Sequence, residues 1–272
     1  MKIGTFFNTY KEVEAMNGRK LMKDYFDEDL AKHYAEDIGR VYPDFDSDSF
    51  IKETVMEIEG GRMSERIEVF SKQLKYYLPD DYIEATEIII EVLGLENDKF
   101  YFPFEEMYYY RALSKFVETY GLDYFDQSMK AIEEITKRDT AEFAIRPFIR
   151  KDYDKVEAVF KVWGKSDNAH LRRLVTEGTR PRLPWAKKLP FLRDDIQENF
   201  RLLQPFLNDP SRYVEKSVAN HLNDISKYYP EEVIAFLKEN ISETSPFIVR
   251  RALRTLKKLE QDEALDLLQQ LK

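Results

Sequence analysis

Two carboxylates in the second half of the chain occupy positions that helix electrostatics disfavours. Glu177 follows an apolar pattern of helical period and stands directly before Gly178, where that helix is predicted to end. The last carbonyls of a helix carry the negative pole of its dipole, so an acid there is poorly placed. Asp224 stands near the end of a later predicted helix with the same disadvantage. Both are candidates for chemistry, because a carboxylate stabilises positive charge that develops nearby.

Glu142 and Trp185 complete the candidate set. Glu142 precedes Glu177 by 35 residues, about one helical repeat, so the two acids would stand on adjacent repeats. Trp185 follows Pro184 in a cationic loop. Acids lined up on a surface that binds phosphates would repel DNA unless they act on a cation.

Ordinary structural roles are the alternatives for all four residues. Glu177 would form an i,i+4 pair with Arg173, an arrangement that contributes little when exposed. Asp224 would be a polar residue at a helix end, and Glu142 would be an acid in the first turn of a helix. Trp185 would be a buried core residue.

The charge of the chain is unevenly distributed. The net charge is −9, but residues 1–140 hold 18 basic and 31 acidic side chains, while residues 141–272 hold 24 and 20. Phosphate attraction acts over a Debye length, roughly 8 Å at physiological salt, so local charge matters more than the total. A solvated helix face is the alternative to a phosphate-binding surface. Within 164–193 two acids stand against eight bases: Lys165, Arg172, Arg173, Arg180, Arg182, Lys187, Lys188 and Arg193.

Composition excludes several classes of site. The 272 residues contain no cysteine and three histidines, which excludes disulfides and thiolate chemistry and disfavours a metal site. We expect no metal and no cofactor. No apolar run approaches membrane-spanning length, and the charged N-terminus lacks the apolar core of a signal peptide. We therefore expect a cytoplasmic monomer.

The elements that must position the candidates are predicted to be helices throughout. Amphipathic segments at 30–41, 49–60, 64–78 and 81–93 end at Pro or Gly signals. In the second half, similar segments begin at Leu171, Val214 and Val249, spaced like two-helix repeats of the HEAT type. A further element, 140–149, ends at Arg146-Pro147 and begins the series. We predict an all-α, HEAT-like solenoid with a concave basic DNA-binding surface: one domain over 1–272, acidic over 1–130 and basic over 131–272.

Two patterns suggest functions that the sequence does not support. Asp44, Asp46 and Asp48 alternate as in a calcium loop, but Ser49 and Val55 replace the required Gly and Glu. A helix N-cap cluster is the better interpretation. Ten aromatic residues lie within 101–125, where helical spacing favours core packing over base stacking.

Three segments resemble signatures of the AlkC family: Thr140–Ile149, Arg172–Trp185 and Tyr213–Asp224. The AlkC family comprises bacterial alkylpurine DNA glycosylases built from HEAT-like repeats and related to AlkD. Segments 21–26 and 42–46 resemble it weakly, so the resemblance covers most of the chain. Some members carry an immunoglobulin-like domain after the repeats, and we expect none here because the sequence stops at Lys272.

The resemblance implies excision of cationic alkylated bases, chiefly 3-methyladenine, from double-stranded DNA without base flipping. It places the catalytic acids at Glu142, Glu177 and Asp224, with Trp185 as the aromatic residue. An N3- or N7-alkylated purine is cationic and leaves without a general acid, so the demand is to stabilise the sugar as it gains oxocarbenium character. The residues expected to bind DNA are Arg146, Arg172, Arg173, Arg180, Arg182, Lys187, Lys188, Arg250, Arg254 and Lys257.

A second hypothesis comes from another class of protein. Repeat solenoids are mostly scaffolds, so the chain would be a non-catalytic module that binds branched DNA or a protein partner. Such a scaffold has no reason to keep three carboxylates and a tryptophan on its basic face.

Overall fold

The structure is a computed structural model that describes residues 20–99 and 104–271. The described residues form helices joined by short turns, with no β-strand, as predicted. No helix in this part of the chain is long and apolar enough to span a membrane. The N-terminal segment in which we expect no signal peptide falls almost entirely in residues 1–19, outside the described residues.

The chain divides into two compact units, Met1–Ile145 and Arg146–Lys272. The prediction of one continuous domain over 1–272 stays a prediction. Unit 1 contains a short 3-10 helix, Met22–Tyr25, and six α-helices among its described residues. They are α1 (Glu28–Val41), α2 (Ser47–Ile58), α3 (Met63–Tyr77), α4 (Tyr82–Glu91), α5 (Phe104–Tyr120) and α6 (Phe125–Thr136).

Unit 2 carries the remaining α-helices of the described chain, and the first of them begins at Ile145, the last residue of unit 1. They are α7 (Ile145–Lys151), α8 (Tyr153–Trp163), α9 (Ala169–Gly178), α10 (Ile196–Leu203), α11 (Arg212–Ile225), α12 (Pro230–Glu239), α13 (Pro246–Ala252), α14 (Arg254–Lys258) and α15 (Asp262–Gln269).

The turn signals of unit 1 lie where the sequence predicts them. Helices α1, α2 and α3 end within two residues of the predicted stops. Asp46 caps α2 by accepting a hydrogen bond from the Ser49 amide at 3.1 Å, which confirms the N-cap interpretation. Tyr108, Tyr109, Tyr110 and Phe116 are buried, which confirms core packing for these four residues of the aromatic cluster. Tyr120 and Phe125 are partly buried, and Tyr124 is 44% exposed. Tyr101 and Phe102 lie outside the described residues.

The boundary predicted around Pro147 is wrong. Helix α7 begins at Ile145, so Arg146-Pro147 opens this helix instead of closing the previous element. Proline is tolerated in the first turn, because the amide it lacks would have no partner within the helix there.

The three predicted repeat helices pack side by side in unit 2. Helix α11 lies against α9 on one side and α13 on the other. Its apolar stripe, which includes Val218 and Leu222, is fully buried. Burying one such side chain stabilises the fold by roughly 1.5–3 kcal/mol. This packing therefore fixes the positions of the polar residues on α9 and α11 where the two helices meet.

Shortening the core of α11 should destabilise unit 2. We expect Leu222→Ala to lower the free energy of unfolding by about 2–5 kcal/mol, because it leaves a cavity between helices. Urea denaturation monitored by circular dichroism measures the change. Lys216→Ala, at an exposed position of the same helix, is the control and should change stability by less than about 0.5 kcal/mol. Equal effects of the two substitutions would contradict the packing described.

Candidate active site

The Arg180 side chain joins two of the candidate carboxylates in unit 2. Its Nη1 donates to Glu177 Oε1 at 2.6 Å, and its Nε donates to Asp224 Oδ2 at 2.9 Å. Glu177 is the penultimate residue of α9, Asp224 lies in the last turn of α11, and Arg180 lies in the loop that follows α9. All three side chains are buried. One guanidinium thus brings together two acids that are 47 positions apart in sequence.

Further cations and a hydroxyl complete this cluster. Arg173 Nη2 lies 3.5 Å from Glu177 Oε1, and Lys227 Nζ lies 3.2 Å from Asp224 Oδ1. Burial alone would raise the pKa of the Glu177 carboxyl. The charges of Arg173 and Arg180, together with a hydrogen bond from the Ser217 side chain, outweigh burial and hold that pKa below its ordinary value. Glu177 is therefore ionised at neutral pH.

A buried hydrogen-bonded chain holds α9, α10 and α11 in register beside the carboxylates. His221 Nδ1 donates to the Thr176 carbonyl oxygen at 2.9 Å, because a carbonyl can only accept. The other ring nitrogen, Nε2, then accepts from Asn199 Nδ2 at 3.0 Å. The Thr176 hydroxyl donates to Ser217 Oγ at 2.7 Å. Burial lowers the pKa of His221 to about 4, so its ring is neutral at pH 7.

Two arginines of α7 hold the loop after Arg180 by donating hydrogen bonds to backbone carbonyls. Arg146 donates to the carbonyls of Gly178 and Arg180 at 2.9 and 2.8 Å, and to that of Lys187 at 2.8 Å. Arg150 donates to the carbonyls of Lys187 and Lys188 at 3.1 and 2.7 Å. These hydrogen bonds satisfy the carbonyls of the irregular backbone and hold it in place. Such a restrained loop can present a side chain in one position.

Trp185 lies in a strained turn of this loop. The Ala186 amide donates to the Leu183 carbonyl at 3.2 Å, closing a four-residue turn with Pro184 second and Trp185 third. Trp185 has a φ of 62°, as the third residue of a type II turn requires. Glycine or asparagine is usual there, since a side chain is disfavoured at positive φ.

The side chain of Trp185 is 77% exposed, so a buried core tryptophan is the wrong interpretation. The turn exposes a large aromatic side chain at a conformational cost of roughly 1–3 kcal/mol. Nothing in the packing of unit 2 repays that cost, because the ring lies mostly in solvent.

Glu142 lies in unit 1, in the turn that precedes α7. The Thr140 hydroxyl donates to Glu142 Oε2 at 2.7 Å, and the carboxylate is half-buried. Burial lowers the pKa of Arg111 in the same unit, and the charge of Glu142 opposes that effect. Glu177, Asp224 and Trp185 belong to unit 2, and a shared site with Glu142 stays a prediction.

Four of the arginines expected to bind DNA are engaged within the protein. Arg146 and Arg180 are buried in the contacts described above, where their donors face carbonyls and carboxylates instead of phosphates. Arg172 forms a two-pronged pair with Asp209, at 2.7 and 2.9 Å. Arg173 lies over the Tyr213 ring, 4.8 Å from its centroid, and beside Glu177.

The other expected DNA-binding residues lie at or near the surface. The exposed ones are Arg182, Lys187, Lys188, Arg250 and Lys257, while Arg254 is half-buried. The helix is interrupted at Leu253, between α13 and α14, and a single face formed by Arg250, Arg254 and Lys257 stays a prediction. Arg250 donates to the Leu271 carbonyl at 3.0 Å.

Sequence reasoning missed several residues that position the cluster. Ser217 and His221 lie on α11 about two turns and one turn before Asp224, respectively, so helical spacing from an identified acid could have revealed both. No sequence signal would have revealed Arg150, since its partners are backbone carbonyls nearly 40 positions away.

The described residues contain no candidate metal centre, and one cavity of unit 2 lies apart from the candidate residues. No group of three or more His, Cys, Asp or Glu side chains suited to a metal ion occurs within 20–99 and 104–271. A cavity of about 460 Å³ in unit 2 is lined by Tyr153, Phe160 and Phe206 among others, and none of the candidate residues lines it.

Comparison with known proteins relates the chain to DNA repair. The model of the family described as DNA alkylation repair enzymes matches residues 70–256. An uncharacterized protein of Bacillus subtilis strain 168, YhaZ, is 35% identical over 254 residues, which are 90% of this chain and 67% of that protein.

A solved structure is similar as well. Alkylpurine DNA glycosylase AlkC of Pseudomonas fluorescens, bound to DNA containing an abasic site analog, superposes with a TM-score of 0.81 at 33% identity. The match covers 92% of this chain and 68% of that one. The chain therefore spans about two thirds of each relative.

The neutral, buried His221 should make stability depend on pH. The unfolded chain takes up a proton near pH 6.5, whereas the folded protein does so only near pH 4, so acidification favours unfolding. This contribution is fully present above pH 6.5 and is lost as pH falls towards 4, a change of about 3 kcal/mol. Urea denaturation at several pH values measures the slope.

The matched variant is His221→Gln, which has no titratable group at this position. We expect it to lower stability at pH 7 and to flatten the slope between pH 6.5 and 4.5. An unchanged slope in the variant would show that other groups produce the dependence.

Proposed function

Because the chain belongs to the family of DNA alkylation repair enzymes, we propose that it is a DNA glycosylase acting on cationic alkylated purines, chiefly 3-methyladenine, in duplex DNA. It hydrolyses the N-glycosidic bond without flipping the nucleotide into a pocket. The observation that carries the proposal is the buried Glu177–Arg180–Asp224 bridge next to the loop that exposes Trp185. The similar AlkC was solved with an abasic site analog, which resembles the product that a glycosylase leaves.

The chemistry follows from the charge of the lesion. A cationic base is already a good leaving group, so the barrier lies in forming the electron-poor sugar. Glu177 and Asp224 supply fixed negative charge to that sugar and accept a hydrogen bond from the attacking water. Arg180 holds both acids in place, so no reorganisation is needed when the bond breaks. Glu142 adds a third carboxylate.

Trp185 and the surface cations hold the DNA. The exposed ring packs against the sugar and neighbouring backbone of the lesion strand, and its face attracts positive charge. Phosphates are bound by Arg182, Lys187 and Lys188 in the same loop, together with Arg250, Arg254 and Lys257. Arg146, Arg172, Arg173 and Arg180 act from inside the protein by fixing the loop and the acids. The protein works as a monomer in the bacterial cytoplasm, associated with the nucleoid when bound to DNA.

The carboxylates should be needed for excision more than for binding. We expect Glu177→Gln and Asp224→Asn to slow single-turnover release of 3-methyladenine from methylated duplex DNA by roughly 10²–10³-fold, because fixed charge at the sugar is lost. Affinity for DNA containing a tetrahydrofuran abasic analog should change little. A wild-type protein that binds DNA but releases no base would refute the enzyme hypothesis in favour of a binding module.

A matched control is available on α11. Glu215 is another buried carboxylate of this helix, and it pairs with Arg212 at 2.8 Å, away from the cluster. Glu215→Gln therefore also removes a buried, paired charge from α11. It should leave the excision rate within about twofold of wild type. If it slows excision as much as Asp224→Asn does, the loss reflects folding and not chemistry.

The strain at Trp185 predicts opposite effects on stability and activity. Trp185→Gly should leave the free energy of unfolding unchanged or raise it by about 1 kcal/mol, because glycine relieves the positive φ. The same substitution should slow excision, and Trp185→Phe should retain most of the activity because an aromatic ring is kept. Thermal denaturation and single-turnover excision are the two measurements. A destabilised but fully active Trp185→Gly protein would mean that the residue is structural.

A further inference from the structure

Two arginines that meet on one face of α11 lack the partner that a buried cation normally has. Arg251 Nε and Arg254 Nη1 both donate to Asn220 Oδ1, at 2.9 and 3.2 Å. Arg254 Nη1 also donates to the Arg251 carbonyl at 3.0 Å. Within the described part of the chain, no carboxylate lies within ion-pair distance of either guanidinium. Two positive charges thus converge on one neutral amide.

Several other arginines of unit 2 have a carboxylate as their partner. Arg172 pairs with Asp209, Arg193 pairs with Glu157, and Arg212 pairs with Glu215. Like charges that meet without an acid repel each other, and burial of the cations adds a cost. Burial lowers the pKa of Arg254, and the neighbouring Arg251 lowers it further. The pair is therefore suited to a negative ligand.

Several donors of these two guanidiniums remain for a ligand. Nη1 and Nη2 of Arg251, and Nε and Nη2 of Arg254, have no hydrogen-bond partner among the described residues. Asn220 adds another donor. Its amide oxygen must face the two guanidiniums, which can only donate, so its Nδ2 is directed away from them and has no partner in the described chain. Guanidinium and amide groups of this kind suit the oxygens of a phosphate.

The position of this donor set links it to the carboxylate cluster. Asn220 lies one helical turn before Asp224 on α11, which places the two residues about 6 Å apart along the helix axis. The charge of Asp224 acts on Arg254, opposing the effect of burial on its pKa. A phosphate bound here would therefore lie about one nucleotide from the acids.

We propose that Asn220, Arg251 and Arg254 form a binding site for a single backbone phosphate of the lesion strand. The inference rests on the proposed function. It specifies which residues bind the phosphate that aligns the lesion nucleotide with Glu177 and Asp224. Arg251 and Asn220 are new members of the DNA-binding surface, and Arg254 acts through this site and not through a face shared with Arg250.

The decisive variant is Asn220→Asp, which places a carboxylate between the two guanidiniums. If the cluster is only structural, the new ion pairs should leave the protein as stable or more stable, and DNA binding should be unchanged. If it binds phosphate, the same carboxylate neutralises the site, and affinity for abasic-analog duplex should fall roughly tenfold or more while stability is retained. Fluorescence anisotropy at several salt concentrations measures affinity, and thermal denaturation measures stability.

A methylphosphonate scan identifies the phosphate. Replacing one phosphate at a time along the lesion strand should reveal a position where wild-type affinity falls by tenfold or more. Arg251→Ala should lose a similar factor on unmodified DNA, with a salt slope smaller by about one, and should be insensitive to methylphosphonate at that position. Arg251→Lys should recover part of the affinity. Lys238→Ala, which removes a cation already paired with Glu263, is the control and should keep the wild-type pattern.

Two results would overturn the inference. One is unchanged DNA affinity in Asn220→Asp, and the other is an Arg251→Ala protein that remains as sensitive as wild type to every methylphosphonate. Failure of the proposed function is distinguishable, because it would abolish base release from methylated DNA while leaving the binding pattern of the scan intact.

Discussion

The arrangement of the candidate site depends on one buried guanidinium. Arg180 lies between the last two residues of α9 and the last turn of α11, and it donates a hydrogen bond to a buried acid on each of these helices. Removing either partner of a buried pair costs about 3–5 kcal/mol, so Glu177, Arg180 and Asp224 depend on one another for stability. The misplacement of Glu177 at a negative helix pole is thereby explained: the charge of Arg180 offsets the unfavourable dipole.

The loop that follows Arg180 is restrained by hydrogen bonds that also reach the end of α9. Arg146 fixes the backbone at Gly178, Arg180 and Lys187, so the bridge at one end and the turn at Trp185 cannot move independently. Strain at Trp185 is sustained because so many hydrogen bonds determine its surroundings. The protein thus combines a loop held by backbone hydrogen bonds with an exposed aromatic ring.

The sequence was most informative where local rules govern structure. Turn signals located the ends of α1, α2 and α3, and one-repeat spacing located the packed helices α9, α11 and α13. It was least informative about cations. Arg180 and Arg251 look alike in sequence, yet Arg180 pairs with acids inside the protein, whereas Arg251 has no acid within ion-pair distance in the described part of the chain. That difference arises only when α11 packs between α9 and α13.

The placement of the two tryptophans gives the protein a built-in optical reporter. Trp163, at the end of α8, is 2% exposed, whereas Trp185 is 77% exposed. Indole emission shifts to longer wavelength in water and is quenched by solutes that reach the ring, so the two signals separate without any label. Emission from Trp185 reports whether its ring is covered, and emission from Trp163 reports whether the core beneath remains folded. Engagement of the loop and integrity of the fold can therefore be observed in one spectrum.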